Sequence, residues 1–367
     1  MYKHFCTQLA YGNLNNWQNS LSIASFLAYH NPYLYKNKNK NQLKPAERME
    51  KIAESERIIG YYRGPEAGPL VVAIGGIHGN EPAGVRALER LVEMLENEPR
   101  LNPGFNFKGD FLALRGNLEA LSQGKRYIDV DLNRIWRPLG SLPDQFVTSE
   151  DHELHELLAA IETAVEEAPL SELVLLDIHT TTAEGGIFAI TGDDASSLSL
   201  AAEMSVPVIK GMLSGLQGTT LHYFRGDHFD TSLPVRAITF EAGHHNDPLS
   251  IDLALAATIN LLRALGCVRE EDVSNLHDHR LRESAAYLPR LTELAYVHKI
   301  AHDGCDNFQM KPGYKNFQRI VKGELLATDK NGDITTPTDG FLLMPLYQKQ
   351  GEEGFFVVRD YKFPLAY

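Results

Sequence analysis

In residues 69–84, PLVVAIGGIHGNEPAG, a histidine and a carboxylate stand three positions apart, at His78 and Glu81. On a tight loop both can face one metal ion, since imidazole nitrogen and carboxylate oxygen are usual donors to a catalytic zinc. A blander role is also open, in which Glu81 favours a helix N-terminus and His78 is incidental. Two further residues bear on that choice. His179 follows the apolar run LVLLDI at 173–178, and Glu241 follows VRAITF at 235–240. His78, Glu81 and His179 make a His/Glu/His set that leaves a position for water, whose pKa a metal lowers. Glu241 is the candidate to accept that water's proton and pass it to a leaving amine. Its alternative is to end a strand and cap the next turn. Asp177, two residues before His179 and on the same strand face, either orients that imidazole or is a satisfied buried acid.

The elements that must position these residues can be read from the same pattern. Residues 70–74 form an apolar run closed by Gly75 and Gly76, which implies a buried strand and a turn. Pro82 suits a first helical position, and Val85, Leu88, Leu91, Val92 and Leu95 recur at helical spacing to an end near 96–99. A strand-like segment at 57–62 precedes this unit, and a further strand at 111–114 leads to the polar stretch RYIDVDLNR at 126–134. Residues 151–167 are an amphipathic helix, and 251–265 a second helix after the strands at 173–178 and 235–240. Strands alternating with helices imply an α/β sheet, where ligands bind outside the C-terminal strand ends. Three such ends deliver His78 with Glu81, then His179, then Glu241.

From about residue 282 the texture changes to short β-like runs punctuated by Asn331-Gly332, Asp339-Gly340 and Glu353-Gly354. The expected division is a loosely ordered segment at 1–48, a catalytic domain at 49–270 and a small C-terminal β-domain at 285–367. The first segment is asparagine-rich and carries six Lys/Arg against one acid, Glu47. Met49 stands just before the globular pattern and is an alternative start of the native chain.

With 367 residues, 43% hydrophobic and 23% charged, the chain has the composition of an ordinary soluble protein with a sizeable core. A net charge of -13 argues against a general nucleic-acid or anionic-membrane binder. Three cysteines, Cys6, Cys267 and Cys305, form no CxxC pair and suit a reducing compartment. No run is long enough to span a bilayer, and a cytoplasmic location is the expectation. Several tempting constellations fail. His152 and His155 are three apart, not the four of an HExxH helix. Asp329, Asn331 and Asp333 begin like a calcium loop, but Ile334 replaces its glycine. His298, His302 and Cys305 lie on a strand-like stretch where positions four apart are separated by roughly 13 Å. His244 and His245 follow Glu241 closely and can line the pocket, though neither receives a role.

Taken together and in order, HGNEPAG around His78 and Glu81, RYIDVDLNR, DIHTTT and FEAG resemble the succinylglutamate desuccinylase/aspartoacylase family of zinc carboxypeptidase-like hydrolases. The resemblance covers roughly residues 57–265, and more weakly the C-terminal portion. It implies an α/β, zinc carboxypeptidase-like mixed sheet flanked by helices. It implies one zinc ion on His78, Glu81 and His179, with Glu241 transferring protons, and Arg126, Asn133 and Arg134 holding the substrate. Guanidinium forks do match carboxylates in bidentate geometry. The alternative for these residues is a polar surface loop with local pairs to Asp129 and Asp131. Arg134 also suits the charge that develops on a scissile carbonyl oxygen. A C-terminal tyrosine is implied in the pocket, and Tyr347 is the nearest match; for an additional substrate arginine, Arg225 and Arg236 are both open. The implied activity is hydrolysis of the amide of a small N-acyl amino acid, with a zinc-bound water as nucleophile. The rivals are a zinc carboxypeptidase acting on peptide C-termini and a metal-binding protein without catalysis.

Overall fold

The computed structural model describes residues 56–137, 146–166, 169–225, 229, 231–300 and 307–361. The segment 1–48, Met49, His302, Cys6 and Cys305 lie outside the described residues. In chain order the catalytic portion runs β1 (Ile58–Arg63), β2 (Glu66–Gly75), α1 (Ala83–Leu101), β3 (Lys108–Arg115), α2 (Leu118–Gln123) and α3 (Ser149–Glu166). It continues through β4 (Leu173–Thr181), β5 (Phe188–Thr191), α4 (Ala195–Glu203), β6 (Val208–Lys210), α5 (Thr220–Arg225), β7 (Val235–His244) and α6 (Leu249–Ala264). After α7 (Asp278–Ala285) come β8 (Leu291–Lys299), β9 (Gln309–Met310), β10 (Gln318–Ile320), β11 (Leu325–Asp329), β12 (Gly332–Thr335), β13 (Gly340–Leu343) and β14 (Glu353–Asp360).

The centre of the sheet is the parallel trio β2, β4 and β7, extended by β3 beside β2. The middles of these strands are largely apolar because helices cover both of their faces. The alternation of strand side chains divides β2 between two cores. Val71 and Ala73 join Leu88 and Leu91 of α1 and Ile259 of α6 on one side. Leu70, Val72 and Ile74 meet Leu154, Leu157 and Ile161 of α3 on the other. Gly75 is required where strand and helix approach, since a Cβ there would sit 2.4 Å from the Val85 nitrogen. Gly76 follows with φ +77°, which turns the chain sharply out of the strand.

The full sheet has the order β1-β3-β2-β4-β7-β5-β6-β8-β14-β13-β10, and β12-β11-β9 form a second, three-stranded sheet. This is the mixed α/β sheet flanked by helices that the sequence implies. The turn-punctuated C-terminal runs are strands: β9, β11 and β12 form the small sheet, while β8, β10, β13 and β14 join the main one. β8 pairs parallel with β6, so the hydrogen-bond ladder crosses the 270–285 interval and continues through β14, β13 and β10. A short strand such as β6 left at an edge would expose unpaired backbone groups, and β8 covers them. Among the described residues no helix is long and apolar enough to cross a membrane.

Candidate active site

The parallel register places the reactive residues. Ile178 of β4 pairs with Gly75 of β2 and with Phe240 of β7, and the next pair is His179 with Glu241. His179 and Glu241 are therefore lateral neighbours on adjacent strands, whose backbones run roughly 4.8 Å apart. His78 and Glu81 arrive on the loop that leaves Gly76, closed by a hydrogen bond from the Glu81 amide to the His78 carbonyl at 3.1 Å.

Glu81 lies between the two imidazoles. One carboxylate oxygen is 2.9 Å from His78 Nδ1 and the other 3.0 Å from His179 Nδ1. The far nitrogens are held from behind: His78 Nε2 is 3.0 Å from Asp131 and His179 Nε2 is 3.0 Å from Asp177. With each Nε2–H donated to a carboxylate, both Nδ1 atoms face inward. One ligand atom from each of His78, Glu81 and His179 lies within 4.8 Å of the others, and all three residues are buried. Two imidazoles, each backed by an acid, and a carboxylate between them suit a divalent cation such as zinc.

The electrostatics follow from this crowding. Burial works against ionising Glu81, but His78 and His179 outweigh it and hold its carboxyl well below the usual range. Burial likewise disfavours a charged His179, and the carboxylates of Asp177 and Glu81 override it to raise this imidazole well above the ordinary histidine value. Glu241 behaves oppositely. Burial, with Glu81 and Asp177 nearby, pushes its carboxyl up to about 8, and its Oε2 has no hydrogen-bond partner. A carboxyl left bare in this way is primed to exchange a proton.

The stretch 126–134 is not a surface loop. Asp131 accepts from Arg126 Nε and Nη2 at 3.1 and 2.9 Å, and its side chain caps the 3₁₀ turn Leu132–Arg134 through the Asn133 amide. Arg126, His78 and Arg134 keep Asp131 ionised against the effect of burial. Glu150, buried at the start of α3, accepts from the amides of Ile128, Asp129 and Val130 and from Asn117 Nδ2. One carboxylate thus fixes the whole loop.

Both arginines are engaged within the protein. Arg126 is on Asp131, and Arg134 donates to Glu353 at 2.6 Å and to the Asn133 carbonyl at 2.8 Å. Asn133 accepts from the Thr220 amide at 3.0 Å and lies 3.4 Å from His179 Nε2. A pocket of about 110 Å³ is lined by His78, Glu81, His179, Glu241, Arg126, Asn133 and Arg134, so the fold brings these seven together. Tyr347 is not among the lining residues. Its hydroxyl donates to the Lys311 carbonyl at 2.9 Å and accepts from the Tyr314 amide at 2.9 Å, which turns it away. Arg225 lies 3.8 Å from Asp194 and Arg236 is bound to Glu172, and neither lines the pocket.

The family model of the succinylglutamate desuccinylase/aspartoacylase catalytic domain matches residues 67–263, more than half of the chain. The chain belongs to this family. Among curated relatives, a Nostoc sp. protein named "Probable aspartoacylase" is 31% identical over 37% of this chain and 43% of its own length. A succinylglutamate desuccinylase from Pseudomonas putida is 24% identical over 79% of this chain and 82% of its own. Among solved structures, the succinylglutamate desuccinylase from Vibrio cholerae superposes with a TM-score of 0.57 at 17% identity, covering 80% of this chain and 82% of that one. A succinylglutamate desuccinylase/aspartoacylase from Rhodobacter sphaeroides gives 0.56 at 15% identity, over 81% and 87%. These likenesses show the fold.

Within this desuccinylase/aspartoacylase fold the pocket also holds residues that sequence reasoning did not assign. His245 lines it, with Nδ1 2.7 Å from Thr180 Oγ1 and Nε2 without a partner, and burial lowers its pKa. Its place directly after the FEAG motif was the available signal. Gln348, in the β13–β14 connection, and Glu353, at the start of β14, also line it, and nothing local in the sequence marks them.

Proposed function

We propose that this chain is a zinc-dependent hydrolase that cleaves the amide bond of an N-acyl amino acid, releasing a carboxylate and the free amino acid. The observation that carries the reading is the pairing of His179 with Glu241 in register, beside a His78–Glu81–His179 donor set. Zinc held on that set would polarise the acyl carbonyl and lower the pKa of a coordinated water.

The remaining work belongs to the chain itself. Asp131 and Asp177 hold the imidazoles with Nδ1 turned inward. Glu241 takes the proton of the attacking water at its unpartnered Oε2 and returns it to the leaving amine nitrogen. Arg126, Asn133 and Arg134 offer donors for the substrate carboxylate, and Arg134 can serve the carbonyl oxygen as its charge grows. His78, Glu81, His179 and Glu241 are themselves buried, so their charges act with reduced screening from water.

The test is a panel of N-acyl amino acids beside short peptides, run on zinc-loaded protein whose metal content is measured on the same sample. Glu241→Gln is expected to lower kcat by roughly 10²–10⁴-fold with zinc content unchanged. Full activity in that variant, or turnover of peptides alone, would remove the reading.

A further inference from the structure

The pocket continues past the reactive row into an apolar chamber. On the sheet, Phe188, Glu241 and His179 form one lateral row, and Ile190, Thr239 and Asp177 form the next, one step deeper. Rows on one face are roughly 6.6 Å apart, so Ile190 forms a floor below the reactive groups. Around it stand Leu213, Leu216, Leu221, Leu346 and Phe356, drawn from a 3₁₀ turn, α5, the β13–β14 connection and β14. Ile190, Leu221 and Phe356 are packed almost completely, at 4%, 2% and 3% exposure, so this wall is built rather than incidental.

The pocket holds few cations to balance an anion. Among the described residues lining the pocket, Arg126 and Arg134 are the only guanidinium or ammonium groups. Each is already paired, Arg126 with Asp131 and Arg134 with Glu353. Their remaining donors can serve one substrate carboxylate. A second carboxylate, directed into the chamber, would be desolvated among Leu and Ile side chains with no cation of its own.

We propose that the acyl group this pocket selects is short, uncharged and apolar, in place of a dicarboxylic acyl chain. This rests on the hydrolase reading above. The size limit follows from the whole pocket, about 110 Å³ with the space beside the reactive residues included, so the share left to the acyl chain is smaller than the ~150 Å³ of an apolar cavity that admits benzene. Several carbons fill it.

The experiment uses the zinc-loaded full chain and a series of N-acyl-alanines with acetyl, propionyl, butyryl, decanoyl and succinyl groups. kcat/KM is expected to rise roughly fourfold per methylene from acetyl to butyryl, to fall for decanoyl, and to be at least tenfold lower for succinyl than for butyryl. Succinyl equal to butyryl or better overturns the proposal, as does a preference set by the amino acid and indifferent to the acyl chain. If no amide is turned over, the hydrolase reading fails separately, and calorimetric binding of butyrate against succinate decides: tighter butyrate supports the chamber, tighter succinate overturns it. Leu216, half-buried at the rim, gives a second test. Leu216→Arg supplies a cation and is expected to move the succinyl/butyryl ratio at least tenfold toward succinyl. An unchanged ratio in that variant, at unchanged melting temperature, counts against the proposal.

Discussion

Each imidazole of the centre is held by a carboxylate at its far nitrogen. Asp177 is fully buried, accepts from Thr220 Oγ1 at 2.6 Å and faces His179 Nε2. This geometry fits a residue that orients the imidazole. Replacing it with Asn weakens the bond without emptying the space, and zinc affinity is expected to fall roughly 10–100-fold. Competition with a chromogenic chelator measures this, and an unchanged affinity would make Asp177 a merely structural acid. Asp131→Asn should act on His78 in the same way, with one difference. Asp131 also anchors Arg126, so KM is expected to rise together with the loss of zinc affinity, and a steady-state assay at saturating zinc separates the two effects.

At the scale of elements, the helices matter chiefly for what their ends hold. Glu150 at the start of α3 gathers three consecutive amides of the loop that carries Asp131 and Asn133. Glu150→Ala leaves those buried donors without an acceptor, and a stability loss of about 3 kcal/mol is expected by chemical denaturation, with raised KM in the folded fraction. A loss below 0.5 kcal/mol would mean that the loop holds itself. α4 supplies a pH-dependent case. Asp194 caps it through the Ser197 amide. Burial works to raise this carboxyl, but the Ser197 and Ser196 donors and Arg225 win and lower it to about 2. A depressed carboxyl stabilises the fold above its unfolded pKa near 3.9, and that contribution is lost as pH falls toward 2. Asp194→Ala should therefore cost about 1 kcal/mol at pH 7, and the gap to the parent chain should shrink between pH 4 and pH 2.

For the whole molecule, the C-terminal strands are both wall and edge cover. Met344, Leu346, Gln348, Glu353 and Phe356 line the pocket, while β8 closes the edge at β6. Leu343, Phe356 and Val358 belong to the same core as Leu70 and Leu154. A chain ending at residue 286 would bare that core and the β6 edge together. It is expected to aggregate, which size-exclusion chromatography reads directly; a monomeric, folded product would make the two parts independent.

Much of this was legible from local pattern. β2, β4 and β7 are buried on both faces, so their apolar runs stand out, and each places its functional residue at or just beyond the run. His78, Glu81, His179 and Glu241 could be named because strand ends are where such sheets bind ligands. The weaker elements were not legible: β5 and β6 span four and three residues, too short to show a period. α1 runs past Pro99 to Leu101, beyond the end near 96–99 that the apolar spacing implies.

By itself, then, the sequence determined the donor types, their order and the alternation of strand and helix, all of which depend on residues close together in the chain. Only the tertiary structure decided that His179 and Glu241 are lateral partners, that Asp131 and Asp177 stand behind the imidazoles, and that Tyr347 is turned away. It also decided that Glu353 pairs Arg134 across more than two hundred residues, and that the pocket's far wall is apolar. Such contacts are set by sheet register and by strands joining a common edge, and no local spacing encodes either.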